Sequence, residues 1–149
     1  MTASVIDGDE RAITNLVHGL ALAIDDADGA RIEALMRDAT FRLDDYPEVV
    51  GGAAYRELIE RGMLLHDGSP GTQHVISNLT VHVAADRSSA TSTGYVSVLQ
   101  AVADLPLQVV LSGRYADSFV RDAGAWRFER RDMQVVLRGD TSRHSRHRM

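Results

Sequence analysis

At 149 residues, with 44% hydrophobic content, the chain has the size of one globular domain that buries roughly 68 to 70% of its extended surface. It holds no cysteine and no lysine, which excludes disulfides, thiolate metal sites, cysteine nucleophiles and Schiff-base chemistry. The net charge of −5 divides into +3 over residues 138–149 and −8 over the remainder, a balance that disfavours nucleic acid.

In chain order, Ile13, Leu16, Val17, Leu20 and Ile24 recur at helical spacing and predict an amphipathic helix over residues 9–25, capped by Asp7 or Asp9. Asp25 falls at the edge of its apolar stripe, where a carboxylate borders whatever that face covers, and His18 falls at the same edge. Asp25, Asp26 and Asp28 together oppose the helix dipole. A second helix is predicted over 30–36 and a short strand over 40–44. A third helix is predicted over 53–65, carrying Tyr55, Leu58, Ile59, Met63 and Leu65. Val50-Gly51-Gly52-Ala53 before it lacks a P-loop lysine and dinucleotide spacing, and simply ends a turn.

Asp67-Gly68-Ser69-Pro70-Gly71 marks a turn, after which the periodicity becomes that of strands over 75–85, 90–102, 108–120 and 126–137. Helices followed by consecutive strands with short connections predict an α+β domain, with the helices on one face of a largely antiparallel sheet. Residues 138–149 lack periodicity and read as a basic, disordered tail in which His144 and His147 have no metal-ligating partners. No apolar run reaches the ~18 residues of a membrane helix, and Met1–Glu10 carries no secretion signal, so the expected location is cytoplasmic.

The chemistry concentrates in Gly71-Thr72-Gln73-His74-Val75-Ile76-Ser77-Asn78, which sets an imidazole on an apolar strand. Histidine changes charge near neutral pH, and a carboxylate against one ring nitrogen fixes its tautomer and raises its basicity. His66 and His82 complete no metal-ligand spacing with His74.

The order of elements, with Thr72-Gln73-His74-Val75-Ile76, Ser112-Gly113-Arg114-Tyr115 and Gly124-Ala125-Trp126-Arg127-Phe128, resembles the SnoaL-like branch of the nuclear transport factor 2 superfamily over residues 9–137. Among enzymes of that branch it resembles scytalone dehydratase, bile acid 7α-dehydratase and the lindane dehydrochlorinase. The resemblance implies a cone: three N-terminal helices in a strongly curved sheet, with a deep apolar cavity at the open end, often paired as a homodimer. It also implies His74 as catalytic base and Asp25, within Ile24-Asp25-Asp26-Ala27-Asp28, as the carboxylate that holds it. His18 lies outside this correspondence. The chain departs from scytalone dehydratase in three places: Ile24 replaces a tyrosine, Gly113 replaces a serine, and Val98–Val102 offers no second histidine.

The expected activity is a cofactor-independent lyase of dehydratase type, using His/Asp acid–base catalysis without metal on a hydrophobic polyketide-, steroid- or terpenoid-like molecule. Isomerisation or cyclisation on the same dyad is the alternative, as are a small-molecule-binding protein and a structural subunit like the small chains of ring-hydroxylating dioxygenases. Candidate substrate-binding residues are Tyr46, Tyr55, Tyr95, Tyr115, Asn78, Gln100 and Arg114, with Leu20, Leu58, Met63, Val98 and Val110 as apolar wall.

Overall fold

The apolar stripe of the first helix decides how the chain closes. In the computed structural model, which describes residues 5–146 with side chains from Gly8 onward, α1 spans Val5–Asp25. Ile13, Val17 and Leu20 are fully buried and Ile24 nearly so, against strands of a single sheet. Short helix α2 (Gly29–Leu35) buries Ile32, and α3 (Gly52–Gly62) buries Tyr55, whose ring meets Phe41 edge-on at 4.7 Å.

Strands β1 (Thr40–Leu43), β2 (Val49–Val50), β3 (Thr72–Val83), β4 (Ser89–Val102), β5 (Leu105–Asp122) and β6 (Ala125–Arg138) form one sheet in the order β2-β1-β6-β5-β4-β3. All pairings are antiparallel except β1 with β6. That parallel pair escapes sequence reading, because it joins segments from opposite ends of the chain, as does the two-residue strand β2. The three helices and the curled, mostly antiparallel sheet otherwise follow the expected α+β architecture.

Irregular register bends the sheet. Between Ser77 and Thr80 the pairing of β3 with β4 slips, and Asn78 adopts a φ of 52°. Before the slip Thr72, His74 and Ile76 face the helices; after it Leu79, Val81 and Val83 do. One extra residue thus exchanges the two faces of the strand. Further slips on β4, β5 and β6 wrap the sheet around the helices.

Asp9 lies inside α1 and caps nothing, because the helix begins at Val5. It takes hydrogen bonds from Arg87 Nε at 2.6 Å, Trp126 Nε1 at 3.0 Å and Arg121 at 3.1 Å, tying α1 to the β3–β4 turn and to β5 and β6. The bond from Arg87, then that from Trp126, holds the Asp9 carboxyl well below its ordinary range. A depressed carboxylate contributes stability above its unfolded pKa of about 4 and loses it as pH falls toward the native value. Asp9→Asn is therefore expected to flatten the acid limb of the stability profile, read as urea midpoints at neutral and acidic pH. Equal acid sensitivity in variant and wild type would contradict this role.

A buried ion pair occupies the middle of the cone. Arg131 donates to Asp117 through Nε at 2.8 Å and a terminal nitrogen at 2.7 Å, with both side chains sealed from solvent. The guanidinium lies 3.8 Å from the Tyr115 ring centre and 5.0 Å from that of Phe128. Burial draws the Arg131 pKa down, but the charge and bonds of Asp117 outweigh it and the guanidinium stays charged.

Candidate active site

Asp25 is the last residue of α1, and the three acids there divide their tasks. Asp28 caps α2 by accepting from the Arg31 amide at 3.0 Å, Asp26 faces solvent, and Asp25 turns toward β3. Gly71 lets β3 start at that point. Its φ is 64°, and a Cβ there would lie 2.8 Å from the Ala101 carbonyl on β4, so both conformation and space demand glycine.

With β3 so placed, Thr72 and His74 share the inward face and converge on Asp25. His74 Nδ1 lies 2.6 Å from Asp25 Oδ1, the His74 amide donates to Oδ2 at 2.7 Å, and the Thr72 hydroxyl donates to Oδ1 at 2.8 Å. Thr72 is a partner that sequence reading missed, although its position two residues before His74 puts it on the same strand face. Only 9% of the His74 side chain and 11% of that of Asp25 reach solvent.

Burial is the largest influence on Asp25 and pushes its pKa up. The His74 ring, its charge, its amide and the Thr72 hydroxyl together outweigh burial, and the net shift is downward. Asp25 is thus an ionised, acceptor-only group at neutral pH, so the facing Nδ1 must carry a proton. In neutral His74 the lone pair then resides on Nε2, the nitrogen turned away from Asp25.

Tyr55 and Tyr115 are buried inside the cone. Burial raises both phenol pKa values and keeps the hydroxyls protonated, and Tyr115 also feels the Asp25 charge. Gln100 is buried on β4 directly across from Thr72. Leu20, Met63, Val98 and Val110 are buried as well.

The remaining candidates lie elsewhere. Tyr95 and Arg114 face each other across β4 and β5 on the outer sheet surface, the guanidinium 5.5 Å from the ring centre, because alternation sends their neighbours Val96 and Tyr115 inward. Asn78 is turned out by the β3 slip. These three line a 730 Å³ cavity on the outer face with Arg42 and Asp132. Tyr46, in the β1–β2 connection, is 56% exposed over a shallow depression beside Asp44, Asp45 and Arg138. Leu58 occupies the solvent side of α3, 40% exposed, while Tyr55 takes the inner side. His18 and His82 are exposed, and His66 Nε2 meets the Arg143 carbonyl at 2.8 Å. Among the described residues no cluster of His, Asp or Glu could hold a metal ion.

The tail follows a defined path through Arg146 instead of fraying; His147 lies outside the described residues. Arg143 reaches Asp104, and the Gln100 amide nitrogen donates to the carbonyls of Pro70 and Arg143, each at 2.9 Å. The Leu64 amide donates to the His144 carbonyl and the Arg146 amide to that of Gly62. This turn brings His144 into the electrostatic neighbourhood of the dyad. Burial first, then the charge of His74, pushes the His144 pKa down to about 4 despite the opposing influence of Asp25. Sequence offered no signal for this, since an aperiodic run rich in Arg and Ser reads as solvated chain.

The SnoaL-like domain model matches residues 8–132. The chain belongs to the SnoaL-like family. No curated protein matches it. Among solved structures it is similar to an NTF2-like protein with a cystatin-like fold from Novosphingobium aromaticivorans, at 19% identity and TM-score 0.74 over 95% of this chain and 96% of that one. A candidate scytalone dehydratase from the same organism is 21% identical with TM-score 0.74, over 91% of this chain and 89% of that one. LinA is 18% identical with TM-score 0.70, over 88% and 90%. At these identities the likeness shows the fold. No helix among the described residues is long and apolar enough to cross a membrane.

Proposed function

We propose that this SnoaL-like protein is a cofactor-independent lyase that eliminates water from a hydrophobic β-hydroxy carbonyl compound of polyketide, steroid or terpenoid type. The observation that carries this reading is the 2.6 Å contact between Asp25 and His74, with both side chains largely shielded from solvent. Nε2 of neutral His74 removes the proton beside the carbonyl, and the C–H electron pair forms an enolate. Asp25 holds the imidazolium through Nδ1–H and stabilises its charge. As the enolate re-forms the carbonyl, its carbon–carbon π electrons shift to a new double bond between the α and β carbons, the β C–O bond breaks with its electron pair leaving on oxygen, and His74 returns its proton to that departing hydroxide on the same face. A protonated phenol, from Tyr55 or Tyr115 buried inside the cone, supplies a hydrogen bond to the enolate oxygen. The candidate scytalone dehydratase among the similar structures supports elimination as the reaction class.

One feature favours a second reading, a small-molecule-binding protein. Asp25 also accepts the His74 amide and the Thr72 hydroxyl, bonds that fasten β3 to the end of α1 whether or not chemistry follows. The two readings separate on carbon–hydrogen chemistry. A lyase exchanges the α-deuterium of a bound β-hydroxy ketone with solvent and forms the conjugated enone, whereas a binding protein leaves the ketone unchanged.

A further inference from the structure

Among the described residues, three buried polar atoms lack a hydrogen-bond partner at the end of the cone where the tail returns: Gln100 Oε1, Gln108 Nε2 and His144 Nδ1. Gln100 and Gln108 are paired across β4 and β5. Gln100 donates to the carbonyl of Arg143, so the C-terminal turn crosses the corner that the glutamine pair occupies, and His144 is the next residue along that turn. That corner adjoins the dyad, because Gln100 is paired with Thr72, which donates to Asp25. The orientation of the Gln100 amide is fixed by chemistry: its nitrogen faces two carbonyls, which only accept, so the unpaired atom is the acceptor Oε1. A buried polar atom without a partner costs stability, and a ligand completing the set would recover that loss.

We propose that His144, delivered by the C-terminal turn, is a substrate-binding residue of the Asp25–His74 site that, together with Gln100, holds a hydroxyl group. With the neutral imidazole in its Nδ1–H tautomer, a hydroxyl is the group that satisfies both atoms at once, donating to Gln100 Oε1 and accepting from His144 Nδ1–H. A ketone accepts from His144 but leaves Gln100 Oε1 unpaired, and a hydrocarbon leaves both unpaired. The inference rests on the lyase reading in one respect: the hydroxyl held here is the one that departs. The tail thereby becomes part of the site, supplying from residues 143–144 a polar contact that the strand segment Val98–Val102 provides only in part, through Gln100.

The test uses three bicyclic probes of one shape, 1,2,3,4-tetrahydro-1-naphthol, 1-tetralone and tetralin, with affinities measured by calorimetry on the full chain. The alcohol is expected to bind about tenfold more tightly than tetralin, the value of one net hydrogen bond, with the ketone between them. His144→Phe, which keeps an aromatic ring but removes the nitrogen, is expected to erase most of that preference, while the same change at the exposed His82, His82→Phe, retains it. In the unaltered protein, the ¹⁵N resonance of His144 Nδ1 should move on addition of the alcohol and stay still with tetralin, a readout that needs no variant to fold. Equal affinity for alcohol and hydrocarbon in the wild type would overturn the proposal. So would a preference that survives His144→Phe, although that result leaves the dyad reading standing. Conversely, a His144-dependent preference in a protein that exchanges no α-deuterium would uphold the hydroxyl site and defeat the lyase.

Discussion

His74→Ala is expected to lower turnover of a β-hydroxy ketone about 10²- to 10⁴-fold, the range that a positioned general base contributes. Far-UV circular dichroism should be unchanged, because the backbone amide of residue 74 still donates to Asp25 and its register on β4 remains. Asp25→Asn should cost nearly as much for a different reason. Asparagine can present its carbonyl to the ring nitrogen and the Thr72 hydroxyl, which share Oδ1, but its NH₂ then faces the His74 amide and it carries no charge to stabilise the imidazolium. If its amide NH₂ faces the ring instead, the imidazole proton is forced onto Nε2 and the base is lost. Initial rates for both variants, followed by enone absorbance, check this. Near wild-type turnover in purified His74→Ala would remove the dyad from the chemistry.

The largest expected effect on stability belongs to the pair at the centre of the cone. Arg131→Met leaves Asp117 as a sealed carboxylate with only the 3.4 Å contact from Ser92 remaining, and Asp117→Asn leaves a sealed guanidinium without its counter-charge. Breaking a buried pair from one side costs about 3–5 kcal/mol. Replacing both partners, as in Arg131→Met with Asp117→Leu, removes both desolvation penalties and should recover most of that loss. Urea titration measures each variant. A single Arg131→Met variant within about 1 kcal/mol of wild type, the value of an exposed pair, would show that solvent reaches this site.

What the sequence discloses and what it hides follow from the range of the interactions involved. The stripe on α1 and the four long strands are written in neighbouring residues, since burial on one face imposes a repeat of 3.6 or 2. Asp25 and His74 were legible through the resemblance of two short segments to a known family, and the fold brings them together from 49 positions apart. The facing of Tyr95, Arg114 and Asn78 is not legible in the sequence because it depends on register, and the slip at Asn78 is a matter of pairing between β3 and β4. Arg131 is hidden for another reason: Arg130-Arg131-Asp132 looks like a solvated charge run, and only the slip between Ser118 and Phe119 brings Arg131 inward opposite Asp117. His144 owes its place to the Gln100 amide and to backbone bonds with residues 62–64, which leave no local signature.

The central claim is that His74 moves a proton from carbon, and isotope exchange tests it most directly. A β-hydroxy ketone deuterated at the α-carbon, incubated with the protein in ordinary water and followed by proton NMR, should lose its deuterium as the enone forms, with both processes abolished together in His74→Gln. Retention of the deuterium by the wild type, or washout at the same rate in His74→Gln, would contradict the account.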